Sequence, residues 1–149
     1  MGVMDASVRG VFFTTSAGGA VPAVLLNLPS GKTLPIYIGL WEAISINNAL
    51  NDDLLPRPGT HDLFVAMLES YGISVKRLTI DDLRDGVFYA TLASVRGDGE
   101  ESLDCRPSDG IAIALRARAP IAIEEMVAEK AGVEEEDLPE FVDLSTYLS

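Results

Sequence analysis

Asp104-Cys105-Arg106-Pro107-Ser108-Asp109-Gly110-Ile111-Ala112-Ile113-Ala114-Leu115-Arg116 changes character at its third residue. Ser102–Cys105 reads as the end of a strand, and Pro107 stands where a helix tolerates a missing N–H, with Ser108 and Asp109 suited to a first turn. From Gly110 to Leu115 there is no charged or hydrogen-bonding side chain, so the predicted helix 108–116 has no face for water and belongs inside the molecule. A helix buried on nearly all sides needs other elements wrapped around it, and β-rich layers with helices between or beside them provide that.

Outward from this helix the pattern repeats. Ile73–Ile80 and Val87–Val95 read as strands joined by a tight turn at Asp85-Gly86, and Arg96-Gly97-Asp98-Gly99 turns the chain into Ser102–Cys105. Earlier, Val8–Thr15 and Val21–Leu28 flank a break at Ser16–Gly19, and Pro29–Lys32 precedes a short strand through Leu34, Ile36 and Ile38. Leu40–Leu50 then takes helical spacing. Both halves are thus three strands leading into a helix, a pattern compatible with internal duplication although their Arg-Pro motifs are out of register. The fold class expected is α+β, two three-strand-plus-helix halves forming β layers packed with helices.

Between the halves, Asp52–Gly59 is a loop, and Thr60 is expected to cap a helix whose Leu63, Phe64, Met67, Leu68 and Tyr71 form one apolar face. After the buried helix, Ile121 and Ile123 alternate and the chain turns helical through Met126, Val127 and Ala131. The expected division is a domain over 1–132 and an acidic C-terminal tail over 133–149, in which Phe141–Leu148 keeps apolar residues for docking.

The 149 residues are 48% hydrophobic and 23% charged, a globular composition large enough for one core without disulfides. A single cysteine, Cys105, excludes an intrachain disulfide framework and is read as a core thiol in a reducing compartment. No apolar run reaches membrane-spanning length and the N-terminus shows no signal core, so the expectation is a cytoplasmic protein with no membrane partner. The net charge of −12 opposes a broad nucleic-acid footprint. Two thirds of it falls in 121–149, where the run Glu134–Asp137 would repel an anionic substrate at low salt.

No phosphate-binding glycine loop, dinucleotide fingerprint, nucleophile elbow or zincin helix is present. The chemistry-bearing residues gather instead around Arg57-Pro58-Gly59-Thr60-His61-Asp62 and Arg106-Pro107-Ser108-Asp109. An imidazole at position 61, the only histidine, would transfer a proton in phosphodiester cleavage or serve to cap its helix. Arg57 and Arg106, each before a proline at a helix entry, would hold a phosphate or pair with Asp62 and Asp109. Glu42, Asp62, Asp104 and Asp109 are oxygen ligands of the kind magnesium or manganese takes, or first-turn groups satisfying helix amides. Each arginine is expected within reach of an acidic motif residue at one shared cleft.

Taken together, the chain resembles the bifunctional nuclease family over roughly Val8 to Gly132. The resemblance rests on Leu34-Pro35-Ile36-Tyr37-Ile38-Gly39 followed by Glu42-Ala43, on Arg57-Pro58 with Thr60-His61-Asp62-Leu63, on Asp85-Gly86 followed by Phe88-Tyr89-Ala90, and on Asp104 with Arg106-Pro107-Ser108-Asp109. It departs from the family pattern at Gly110, where alanine is usual, and in the acidity of its tail. The resemblance implies an α+β domain that forms homo-oligomers, dimers first, and a nuclease acting on DNA and RNA with little base preference. Placed on the motif positions, Arg57 and Arg106 would hold the phosphate, His61 would give or take a proton, and Glu42, Asp62 and Asp109 would orient them or bind a divalent ion. The rival is a noncatalytic oligomeric module binding a small anion or a protein. Exposed strand residues Val11, Phe13, Val24 and Leu26 are expected to supply an oligomer contact.

Overall fold

A computed structural model describes residues 2–16, 18–53 and 55–148; Ala17 of the first expected turn and the side chain of Leu148 lie outside the described residues. The elements run β1 (Val3–Ser16), β2 (Gly19–Asn27), β3 (Thr33–Tyr37), α1 (Leu40–Leu50), α2 (Thr60–Ser70), β4 (Ser74–Arg84), β5 (Val87–Arg96), β6 (Gly99–Cys105) and α3 (Pro107–Ala117). β7 (Ile121–Glu124), α4 (Glu125–Ala131), a 3-10 turn over Glu135–Asp137, β8 (Val142–Asp143) and α5 (Ser145–Leu148) complete the chain. The class is α+β, as the strand and helix patterning implied.

The two expected halves are both present as antiparallel meanders, and β7 joins them edge to edge in the order β3-β2-β1-β7-β4-β5-β6, with β8 added on β1. β7 is antiparallel to β1 but parallel to β4. A parallel neighbour requires the chain to cross back over the sheet, and α3, entering directly into β7, is part of that crossover. β1 begins at Val3, five residues before the expected start, because Val3–Ala6 pairs with β7, a partner from the far end of the sequence. From Ser7 onward β1 pairs with β2, and a register shift between Val8 and Gly10 interrupts that ladder. At Asp85-Gly86 both residues have positive φ, 52° and 77°, the conformation a two-residue hairpin turn requires.

The core is one cluster to which every layer contributes: Val24 and Leu26 of β2, Ile46 of α1, Leu78 and Ile80 of β4, Ile111 and Ala112 of α3, Ile123 of β7. α3 is buried from Pro107 to Ala114 except for Asp109. It lies so close to the sheet that a side chain at Gly110 would collide with Leu78 Cδ1 and crowd the Cys105 sulfur.

Three expectations change. Val11, Val24 and Leu26 are not exposed but among the most buried residues of the protein, because α1 packs on β1 and β2 and Leu144 is wholly buried beside Val11. Phe13 is half-buried, with the Tyr147 ring edge-on at 5.4 Å. Second, the helix start is capped by Gly59 rather than Thr60, and the Asp62 carboxylate accepts from the Gly59 N–H at 2.8 Å. Third, α2 turns its apolar stripe outward: Leu63, Phe64, Met67 and Tyr71 are exposed, and Val65 is the buried residue. His61, Val65 and Leu68 fall at i, i+4 and i+7, so the inward face starts with the polar first turn.

The acidic segment runs along the first meander. Val133 exchanges backbone hydrogen bonds with Thr33 (2.9 and 2.7 Å), and the Glu135 carboxylate pairs with Arg9 at 3.1 Å, so part of the charge run is partnered. Ala112, fully buried at the middle of α3, is the sharpest test of this architecture. Ala112→Asp should cost several kcal/mol, on the order of 4, by placing an unpaired carboxylate in the core. The expected result is loss of a cooperative thermal transition; an unchanged melting curve would remove α3 from the core.

Candidate active site

Three helices meet at one cleft of about 400 Å³. α1 brings Glu42 and Ser45, neighbours on its surface at i, i+3; α2 brings His61 and Asp62 in its first turn; α3 brings Asp109 in its first turn, Arg106 just before it, and Arg116 two turns on. Both α2 and α3 present their N-terminal ends here, and their partial positive charge favours acidic side chains and anions. A second cleft, of about 460 Å³ between β3, the β4–β5 turn and α3, shares Glu42 and Arg106 with the first.

At the centre is His61, its side chain only 14% exposed and hydrogen-bonded at both ring nitrogens. Nε2 lies 2.9 Å from Asp109 Oδ1, and an ionised carboxylate only accepts, so Nε2 carries the proton. In the neutral ring Nδ1 is then the lone-pair nitrogen, and Ser45 Oγ, 2.7 Å away, is the donor to it. Asp109 Oδ2 accepts from Arg106 Nε at 2.8 Å. Burial pushes the Asp109 carboxyl up, but the hydrogen bonds from Arg106 and His61, with their charges, outweigh it and hold it below its usual value. Asp109 in turn holds the Arg106 guanidinium firmly protonated, with Glu42 adding to the effect. Arg106 is 68% exposed, and its two terminal nitrogens have no acceptor among the described residues.

Beneath this lies a second pair. Arg116, 11% exposed, donates to Asp62 Oδ1 at 2.6 Å, to the Ala112 carbonyl at 3.0 Å and to the Ser45 carbonyl at 3.1 Å. It thereby ties all three helices together. The Arg116 hydrogen bond lowers the Asp62 carboxyl below its ordinary value against the upward push of burial, with the Gly59 N–H helping.

The sequence-based expectations are met unevenly. Glu42, His61, Asp62, Arg106 and Asp109 do line one cleft, and the expected Arg106–Asp109 pair is present. Arg57 is exposed on the loop between α1 and α2; its neighbours Leu55 and Gly59 line the cleft, but Arg57 does not, and among the described residues it forms no ion pair. Asp62 pairs with Arg116 instead. Asp104 is exposed on β6 opposite Thr91 and does not line the cleft, and among the described residues no three His, Cys, Asp or Glu side chains gather to hold a metal ion; Asp62 serves instead as a first-turn group. The Cys105 thiol, pushed up to about 11 by burial and then by Asp104, Asp109 and Asp81, stays protonated and unreactive at neutral pH. Two residues escaped the sequence reading. Arg116 is the one basic group on an apolar helix, seven positions after Asp109 on the same stripe, and Ser45 lies one turn after Glu42; both spacings were readable.

The fold and the site together define a small α+β domain with a histidine-centred polar cleft, and comparison with known proteins gives its family. The bifunctional nuclease domain model matches residues 24–136, and the chain belongs to that family. An uncharacterized protein of Mycobacterium tuberculosis is 42% identical, over 75% of this chain and 67% of its own length. Bifunctional nuclease 1 of Oryza sativa subsp. indica is 30% identical over 74% of this chain, and bifunctional nuclease 1 of Arabidopsis thaliana 27% over 75%. The chain spans only about a third of these plant proteins, 35% and 36%.

Asp62→Asn should destabilise the protein by about 1–2 kcal/mol, by leaving a nearly buried guanidinium without its counter-charge, reduced from the fully buried case because Asp62 is partly exposed. Because the native carboxyl is lowered from its ordinary value of 3.8, this stability is complete above that value and lost as pH falls through the lowered native one. Urea unfolding of the two proteins should differ at neutral pH and converge in acid; a constant difference down to strong acid would break the assignment.

Proposed function

We propose that this domain is a nuclease hydrolysing phosphodiester bonds in DNA and RNA at the α1–α2–α3 cleft. The observation that carries the reading is the open terminal edge of Arg106 beside His61, both held by Asp109, in a chain of the bifunctional nuclease domain family. Arg106 and the two helix N-termini supply the anion contacts, and His61 moves the proton. Glu42 has no partner among the described residues and is the carboxylate left to share a magnesium or manganese ion with a substrate phosphate. Arg57, on the adjoining loop, acts as an outer contact to a longer strand. The binding-module reading is favoured by the net charge of −12, and a negative result below would remove the nuclease reading.

The test is degradation of plasmid DNA and RNA by highly purified protein with magnesium, manganese or chelator. His61→Ala and Arg106→Ala should each lose about 10²-fold or more, and Arg57→Ala less than about 10-fold. Activity that survives both of the first two substitutions belongs to a contaminant.

A homodimer and a cytoplasmic location belong to the same proposal. The lone thiol of Cys105 suits a reducing compartment. The dimer contact moves from the strands to α2, whose exposed Leu63, Phe64, Met67 and Tyr71 form an apolar stripe unusual for a free surface. Light scattering should give twice the 15.9 kDa chain mass, and Met67→Glu should shift it to the monomer. A single-chain mass for the unsubstituted protein at every concentration would reject the dimer.

A further inference from the structure

We propose that Ser45 is a nucleophile that attacks phosphorus, with His61 as its base and Asp109 as the positioning residue, so that hydrolysis passes through a covalent phosphoserine. This rests on the phosphodiesterase reading of the same cleft and specifies its first step.

The argument starts from the commitments of the imidazole. Its Nε2–H is spent on Asp109 Oδ1 at 2.9 Å, which fixes the tautomer and stabilises the ring once it is protonated. Its one basic nitrogen, Nδ1, is occupied by the Ser45 hydroxyl at 2.7 Å. A water molecule therefore finds no open nitrogen on His61, and the proton that His61 is set to accept is the serine's. Nucleophile, base and orienting carboxylate form an unbroken chain, and Ser45 lines the cleft with Arg106. Structural capping does not account for Ser45: the backbone contact that docks α1 on Arg116 uses the Ser45 carbonyl, leaving the hydroxyl to face the ring.

The chemistry balances without an added reactant other than water. Ser45 Oγ forms a bond to phosphorus as its proton moves to His61 Nδ1, and the bond from phosphorus to the leaving sugar oxygen breaks. That oxygen takes the proton from Nδ1. Water then attacks the phosphoserine diester and gives a proton to Nδ1. The phosphorus–Oγ bond breaks, and Oγ recovers the proton. One water is consumed, and a phosphomonoester and an alcohol are released. Arg106, with its terminal nitrogens turned to solvent, is positioned to balance charge on the phosphoryl oxygens.

The test uses a fluorophosphonate probe on the full chain, read by intact mass and peptide mapping. Attack by Ser45 replaces fluoride on phosphorus and leaves one stable adduct. The expected result is a single adduct at Ser45, none in Ser45→Ala, and labelling slowed about 10²–10⁴-fold in His61→Gln and in Asp109→Asn, all with melting curves showing folded protein. An unlabelled Ser45, or equal labelling of Ser45→Ala, overturns the proposal. Nucleic-acid cleavage that persists in Ser45→Ala does so too, while leaving the nuclease reading intact. A Ser45 adduct without DNA or RNA cleavage upholds the nucleophile and removes the nuclease reading instead.

Discussion

The burial of α3 governs the rest of the structure. A helix of glycine, alanine and isoleucine offers no favourable contact to water, so β4, β5, α1 and α2 pack around it. Its polar groups are confined to its ends, Arg106 and Asp109 at one and Arg116 at the other. Elements that dock on this helix must satisfy those end groups, because a charge left beside the core without a partner costs more than most apolar contacts return. His61 and Asp62, consecutive on α2, meet that demand by engaging Asp109 and Arg116 respectively.

That requirement explains the orientation of α2. Hydrophobicity alone would bury Leu63, Phe64, Met67 and Tyr71, yet the face that carries His61, Val65 and Leu68 turns inward. Two charge-assisted contacts, one to Asp109 and one to the nearly buried Arg116, outweigh the burial of that stripe. The same docking aims the histidine ring at Ser45 on α1. Two groups of side chains therefore hold these helices together, the Arg116–Asp62 pair and the Asp109–His61–Ser45 chain.

Charge also acts locally more than globally. The protein as a whole is strongly acidic, but at the cleft each of two arginines is matched by one aspartate, and part of the acidic C-terminal run is held by Arg9 and Lys32. An anion at the proposed site would meet the open edge of Arg106 and two helix N-termini, which count for more at close range than distant carboxylates screened by salt.

Local pattern alone determined most of the elements: two three-strand meanders, the Asp85-Gly86 turn, the Pro107-initiated buried helix and the motifs bearing Glu42, His61, Asp62, Arg106 and Asp109. These depend on period, turn chemistry and residues adjacent in the chain, all readable from neighbours. Tertiary structure decided what depends on partners far apart in sequence. The pairing of Val3–Ala6 with β7, the covering of Val11, Val24 and Leu26, the outward turn of α2, the choice of Arg116 over Arg57 for Asp62, and the approach of Ser45 to His61 all require contacts between separate elements. Side-chain periodicity says which face of a helix is apolar; only the competition between burying that face and satisfying charges at the ends of α3 says which face goes inside.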